Sequence, residues 1–204
     1  MKRFAQVLII SLVVLMLGSI AVSAAVALDN GDFESQLPPR ERYQGWENEY
    51  IYGWKPFAGT AWVGKGDHVM VIEHPQKPGQ HVLKLSGRDD GYVGLRSHHV
   101  PVTPGSIYAI TANVFVEELA EPSRMQVWLE FWPADTPSET SGDRMHHTRA
   151  TAKNVGVWQE LAVADIAPEG AATATVLVII HRSGQLALVP AEVMVDDITI
   201  TELK

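Results

Sequence analysis

Residues 125–132 read MQVWLEFW, and this stretch decides the prediction of the fold. Successive side chains of a β-strand point to opposite faces, so residues two apart share a face. One face of this segment is wholly apolar and is suited to a protein core: Met125, Val127, Leu129 and Phe131. The opposite face carries Gln126, Trp128, Glu130 and Trp132. The segment is therefore predicted to be a strand with a core on one side.

The second face of this strand suits a saccharide. Side chains on one face of a strand are spaced by about 7 Å for each two-residue step. Two indoles on the same face can therefore stack on the rings of one saccharide chain. Gln126 and Glu130 supply hydrogen-bonding groups beside them. Large apolar side chains exposed on one face of a protein usually mark a binding site. The alternative is that Trp128 and Trp132 pack beneath a loop or a second layer.

Seven further segments have the length and alternation of short strands. Turn-forming sequences rich in Gly and Pro, such as those around Pro78, Pro104 and Pro168, separate them. Many short strands with regular turns indicate an all-β fold, a jelly-roll β-sandwich of two antiparallel sheets. The polar segment 134–151 is predicted to be a loop. The predicted strands are 69–72, 82–85, 92–96, 107–116, 125–131, 158–163, 173–180 and 193–200.

Alternation also assigns faces in the neighbouring strands. In 92–96, Val93 and Leu95 are predicted to point inward, whereas Tyr92 and Arg96 point outward. In 107–116 the inward set includes Ile110, and Asn113 lies on the opposite face. If these strands share a sheet with 125–132, one face collects the predicted ligand-binding residues: Tyr92, Arg96, Asn113, Gln126, Trp128, Glu130 and Trp132.

The N-terminus has the pattern of an export signal. Lys2 and Arg3 precede an apolar stretch, and small residues around position 27 suit signal-peptidase cleavage. We therefore predict a signal peptide at 1–27 and one domain at 28–204, secreted, periplasmic or on the cell surface. A retained membrane anchor is the alternative, because 4–27 is long enough to span a bilayer.

The charge of the chain excludes some classes of binding partner, and its cysteine content limits how the fold is stabilised. The chain has 204 residues, no cysteine and a formal net charge of −8, which becomes −10 when Lys2 and Arg3 are removed. This acidic balance argues against nucleic acid and against anionic membranes as partners. The absence of cysteine excludes disulfides, so stability must come from the core and from any bound ion.

The two ends of the predicted domain carry paired motifs. NGDFE stands at 30–34 and VDDITI at 195–200, with GW at 53–54, VPVTPGSIY at 100–108 and APEGA at 167–171 between them. Together they resemble jelly-roll carbohydrate-binding modules of the galactose-binding-like superfamily, and most closely the xylan- and glucan-binding modules of bacterial glycoside hydrolases. This resemblance implies a non-catalytic module that holds a polysaccharide or an oligosaccharide.

The resemblance also implies a structural calcium ion where the first and last strands meet. Glu34 and Asp196 would be the side-chain ligands, with Asp32 and Asp197 as further candidates. Calcium takes six to eight oxygen ligands, which carboxylates and backbone carbonyls supply. The alternative is that the adjacent aspartates lie on an exposed strand. Chelation is expected to lower the melting temperature if the ion is present.

Two other functions remain open. The chain could be a subunit of an extracellular assembly that self-associates through exposed strand edges. The segment 175–180 is apolar on both faces, so it is either a covered central strand or a partner surface. The chain could instead be a jelly-roll glycoside hydrolase or polysaccharide lyase. A hydrolase needs two facing carboxylates, and only Glu130 has an aromatic setting. We therefore predict that the chain is not an enzyme.

Overall fold

The structure is a computed structural model, and it describes residues 24–26, 28–35, 51–57, 69–87, 93–134, 142–182 and 191–203. Twelve strands form within these ranges, and no helix occurs in them. In chain order they are β1 (Ala24–Val26), β2 (Trp54–Pro56), β3 (Val69–Glu73), β4 (His81–Gly87), β5 (Val93–Ser97), β6 (Val100–Pro101), β7 (Ile107–Leu119), β8 (Ser123–Trp132), β9 (His146–Thr151), β10 (Trp158–Ile166), β11 (Thr173–Arg182) and β12 (Ala191–Leu203).

The strands form two antiparallel sheets. Sheet I has the order β10-β7-β12-β4-β3, and β1 also pairs with β12. Sheet II has the order β2-β5-β11-β8-β9, and β6 also pairs with β11. Strands that are neighbours in a sheet are often distant in the chain, as β12 is from β4 and β11 is from β5. The predicted all-β sandwich of two antiparallel sheets is confirmed.

The core lies between the sheets and follows the predicted alternation. Sheet I contributes Ile110, Ala112, Val114 and Val116 from β7, all nearly inaccessible to solvent. Sheet II contributes Met125, Val127, Leu129 and Phe131 from β8. Val93 and Leu95 of β5 also face this core. The period of two residues therefore predicted the inward faces of these strands correctly, because each sheet buries one face against the other.

The eight predicted strands all occur, with bounds that differ by a few residues. The prediction of a continuous loop over 134–151 is wrong, because β9 forms at its end and pairs with β8 from Gln126 to Phe131. Its sequence, HHTRAT, has Ala150 as its one apolar residue, because β9 is the last strand of sheet II and buries little of its surface.

Residues close to the predicted cleavage site belong to sheet I. Ala24, Ala25 and Val26 pair with Glu202, Thr201 and Ile200 of β12, and Val26 packs against the core. The domain described here thus includes three residues that precede the predicted boundary at 27. The signal peptide itself stays a prediction, and most of it lies outside the described residues. Within the described ranges, no helix is long and apolar enough to cross a membrane.

The segment 175–180 belongs to the centre of sheet II. It lies in β11, between β5 on one side and β8 on the other. Its side chains are buried on both faces, from Thr175 to Ile180. Of the two alternatives, the segment is therefore a covered central strand, and its apolar composition needs no partner surface.

Candidate functional site

The candidate site lies on the outer face of sheet II, the face that points away from the sandwich core. Cross-strand pairing places Trp128 between Leu177 of β11 and Arg149 of β9, and Glu130 between Thr175 and His147. On the far side of β11, Leu177 pairs with Arg96 of β5. Because paired residues point to the same face, the predicted residues Arg96, Gln126, Trp128, Glu130 and Trp132 are brought together.

Glu130 lies at the centre of a buried ionic cluster. Its side chain is fully buried, and its Oε2 accepts a hydrogen bond from Nε of Arg96 at 2.8 Å. Nη1 of Arg144 donates to Oε1 at 2.5 Å, and the hydroxyl of Thr175 donates to Oε2 at 3.1 Å. An inaccessible carboxylate whose oxygens both accept hydrogen bonds cannot meet a ligand directly. The prediction that Glu130 faces solvent is therefore wrong; it positions two guanidinium groups instead.

Trp132 is also buried, contrary to the prediction of an open indole. Its exposed fraction is 0%, and its Nε1 donates to the hydroxyl of Thr175 at 2.9 Å. The guanidinium carbon of Arg96 lies 4.8 Å from its ring centroid, and the ring of His99 contacts its edge. Trp132 thus packs in a covered part of the outer face, which was the alternative reading of this residue. A buried indole with a paired N–H is a stabilising element rather than a ligand platform.

Trp128 is the accessible aromatic residue of this strand, and it is half-buried. His147 stacks on its ring, with centroids 4.6 Å apart and planes at 13°. The guanidinium carbons of Arg144 and Arg149 lie 5.2 Å and 5.1 Å from the ring centroid. Trp128 Nε1 donates to Oε1 of Gln126, which is itself largely buried. The side chains around Trp128 are therefore cationic and hydrogen-bonding, and we call Trp128, Arg144, His147 and Arg149 the Trp128 cluster.

The charges of the Trp128 cluster affect its histidine. Burial, followed by the positive charge of Arg144, holds the pKa of His147 below its usual value, and Arg149 acts in the same direction. Glu130 has the opposite influence on this pKa but does not outweigh the others. The imidazole is therefore neutral at pH 7, and the fixed charge beside Trp128 comes from the arginines.

One predicted binding residue, Asn113, does not join this face. Asn113 lies on β7 of sheet I, where its amide donates to Oδ2 of Asp197 at 3.1 Å. The assumption that its strand shares a sheet with 125–132 is wrong, because β7 pairs with β10 and β12. Tyr92 lies outside the described residues.

The predicted calcium ligands lie near the ends of the described domain. Both carboxylate oxygens of Glu34 are occupied by His81, one by its backbone N–H at 2.7 Å and one by its imidazole at 2.8 Å. These bonds lower the pKa of Glu34. Oδ1 of Asp32 accepts a hydrogen bond from the backbone N–H of Glu34.

Asp196 and Asp197 share a lysine. Nζ of Lys77 lies 3.1 Å from Oδ2 of each, and hydrogen bonds to the two carboxylates raise the pKa of Lys77. Asp196 is 3% exposed, so the prediction of an inward carboxylate that needs a cationic partner agrees with its position. Over the described ranges, no group of three or more His, Asp or Glu side chains could hold a metal ion. The carboxylates do not fit calcium while Lys77 is in place, and the calcium site stays a prediction.

The sequence interpretation missed Arg144, His147 and Arg149. All three lie in the segment that was predicted to be a loop, so their shared face was not considered. A signal was present, because His147, Arg149 and Thr151 alternate in HHTRAT as residues of one strand face do. The polar turn-forming residues that precede this segment obscured the signal.

Comparisons with known proteins identify the fold. No protein-family model matches the chain, and no curated protein matches its sequence. Among solved structures, the chain is similar to the CBM22-2 xylan-binding domain from Paenibacillus barcinonensis Xyn10C, with 19% identity and a TM-score of 0.52 over 84% of this chain and 96% of that one.

Other proteins share this architecture. The enzymatically active domain of tailspike protein 4 from bacteriophage CBA120 is similar at 11% identity and a TM-score of 0.57, over 88% of this chain but only 22% of that one. A cyclase from Fischerella sp. TAU is similar at 13% identity and a TM-score of 0.53, over 88% of this chain and 97% of that one. Identities this low establish the fold and leave the activity open. The chain has the jelly-roll fold of carbohydrate-binding modules.

Proposed function

We propose that the chain is a non-catalytic carbohydrate-binding domain whose ligand contacts the Trp128 cluster on the outer face of sheet II. The observation that carries the proposal is the half-buried indole of Trp128, held by Gln126 and surrounded by hydrogen-bond donors. Aromatic side chains next to fixed donors are the usual composition of a saccharide site. The likeness in fold to xylan-binding domains supports the same function.

The buried state of Glu130 supports a non-catalytic role. Hydrolysis of a glycosidic bond uses two carboxyl groups that reach the substrate on either side of the scissile bond. Glu130 is inaccessible and bonded to Arg96 and Arg144, so it is not available for proton transfer to a sugar. The cyclase neighbour demonstrates that this architecture also occurs in an enzyme, so reducing-end and unsaturated-product assays belong in the test.

The test is binding of xylan, β-glucan and galactan oligosaccharides, measured by tryptophan fluorescence and calorimetry. We expect Trp128→Ala to weaken binding by roughly tenfold or more, because it removes the accessible ring. Trp158→Ala is the matched control: Trp158 is also partly buried, but it lies on sheet I, stacked on His74. Equal loss in both variants, or no loss in Trp128→Ala, would contradict the proposed site.

We also propose that calcium stabilises the fold by taking the place of the Lys77 ammonium between Asp196 and Asp197. Calcium prefers carboxylate oxygens, and these two carboxylates already converge on one cation. We expect EDTA to lower the melting temperature of the calcium-treated protein, and to lower it further in Lys77→Gln, where no ammonium replaces the ion. Melting curves that EDTA leaves unchanged in both proteins would exclude the site.

Export and self-association complete the proposal. The predicted signal at 1–27 supports a secreted, periplasmic or surface location, where polysaccharides are accessible. For self-association, a second copy could pair with the outermost strands among those that the structure describes, which are β3 and β10 in sheet I and β2 and β9 in sheet II. Light scattering over a range of concentrations measures such association.

A further inference from the structure

We propose that the Trp128 cluster selects an acidic polysaccharide, one whose sugar rings carry carboxylates, over a neutral one. This inference rests on the proposed carbohydrate-binding function and names the class of its ligand. A uronic acid residue combines the ring of a sugar with a planar carboxylate, and the cluster offers an indole with two guanidinium groups beside it.

The first argument is the balance of charge. Three guanidinium groups, those of Arg96, Arg144 and Arg149, gather around Trp128 and Glu130 on this face. Among the described residues named here, the carboxylates of Glu130 and of Asp143, which precedes Arg144 in the chain, leave these three guanidinium groups with a net positive charge. The chain as a whole carries −8. A cationic face on an acidic protein attracts an anionic ligand to that face and not to the rest of the surface.

The second argument is that the buried carboxylate of Glu130 does not pair with the accessible guanidinium of Arg149. Glu130 is fully buried, and its oxygens already accept from Arg96, Arg144 and Thr175. Arg149 is exposed at the edge strand, with its guanidinium over the Trp128 ring. A guanidinium held in this way is pre-organised to donate two parallel hydrogen bonds to a carboxylate.

The third argument concerns the ring itself. With His147 stacked at 4.6 Å and two guanidiniums near 5 Å, the accessible part of the indole is bordered by cationic and polar groups. The hydroxyl groups of a neutral polysaccharide gain little binding free energy from these guanidiniums. A carboxylate accepts charge-assisted hydrogen bonds from them, which are stronger. Burial is the main cause of the lowered pKa values of His147 and of His181, and the positive charge of Arg149 adds to the lowering of both.

The experiment compares polygalacturonate with unsubstituted xylan and with a sulfated polysaccharide, using the full chain and affinity electrophoresis or calorimetry. We expect polygalacturonate to bind at least tenfold more tightly than unsubstituted xylan, and its binding to weaken with added salt. Arg149→Gln should reduce polygalacturonate binding about tenfold and reduce xylan binding by a clearly smaller factor. Lys84→Gln is the control, because it removes the same charge from the outer face of sheet I, where Lys84 pairs with Glu192.

The outcomes distinguish failure of the acidic preference from failure of the proposed carbohydrate-binding function. Binding of unsubstituted xylan equal to or tighter than that of polygalacturonate overturns the acidic preference but leaves a carbohydrate-binding domain. Binding of none of the three polymers overturns the proposed function itself. Tighter binding of the sulfated polymer, reduced equally by Arg149→Gln and Lys84→Gln, indicates general charge attraction and also overturns the inference.

Discussion

Glu130→Ala is expected to destabilise the domain by about 3–5 kcal/mol. The variant leaves the guanidiniums of Arg96 and Arg144 without their shared carboxylate, and the Arg96 side chain is only 3% exposed. A buried cation that loses its partner keeps the full cost of its desolvation. Urea unfolding followed by tryptophan fluorescence measures the change.

Two further variants distinguish the loss of a buried ion pair from a simple loss of packing. Glu121→Ala removes the carboxylate of an exposed pair with Arg124, and we expect a change of at most about 1 kcal/mol. The double variant Glu130→Leu with Arg96→Met should recover part of the loss, because it removes one buried cation together with the buried anion. If Glu130→Ala is as mild as Glu121→Ala, the cluster is not a structural element of sheet II.

Trp132→Ala is expected to cost about 3–5 kcal/mol, as large aromatic-to-alanine changes in a core do. The indole is fully buried, bonded to Thr175 and packed against Arg96. Its removal leaves a cavity beside the ionic cluster that sheet II cannot close without moving Arg96. Thermal unfolding should show a melting temperature lower by roughly 10 °C or more.

Trp132→Phe tests whether this residue meets the ligand. The smaller ring keeps much of the packing and loses the hydrogen bond to Thr175, so the cost should be about 1–2 kcal/mol. Affinity for saccharides per folded molecule should equal that of the parent protein, because the ring is inaccessible. A variant that folds normally but binds more than tenfold more weakly would restore Trp132 to the binding surface.

Local sequence patterns predicted the fold in unusual detail. The alternation in 107–116 and in 125–131 assigned the inward side chains correctly, since a residue's face in a strand depends only on its position in a period of two. The paired motifs at 30–34 and 195–200 resembled jelly-roll modules, and the solved structures with this fold agree. β9 was missed because an edge strand needs no apolar face, so it lacks the pattern by which strands are recognised.

The site was predicted only in part. The sequence placed Trp128, Glu130 and Trp132 on one face, and this is correct, but alternation does not tell whether a face is open or covered. Asn113 was assigned to the wrong sheet because strand order depends on contacts between distant segments. The arginines of the Trp128 cluster were not predicted because their segment was interpreted as a loop, so the pairing of β9 with β8 was not considered.

The amino-acid sequence by itself determined the class of fold, the core-facing residues and the acidic balance of the chain, because each follows from composition or from a repeat between near neighbours. The tertiary structure alone decided which outward side chains remain accessible and which charged side chains form ion pairs. The register of β5, β11, β8 and β9 joined Arg96, Glu130 and Arg144 into a buried cluster and left Trp128 beside Arg149 at the edge. Burial and pairing of charges are properties of residues distant in sequence, so no local pattern encodes them.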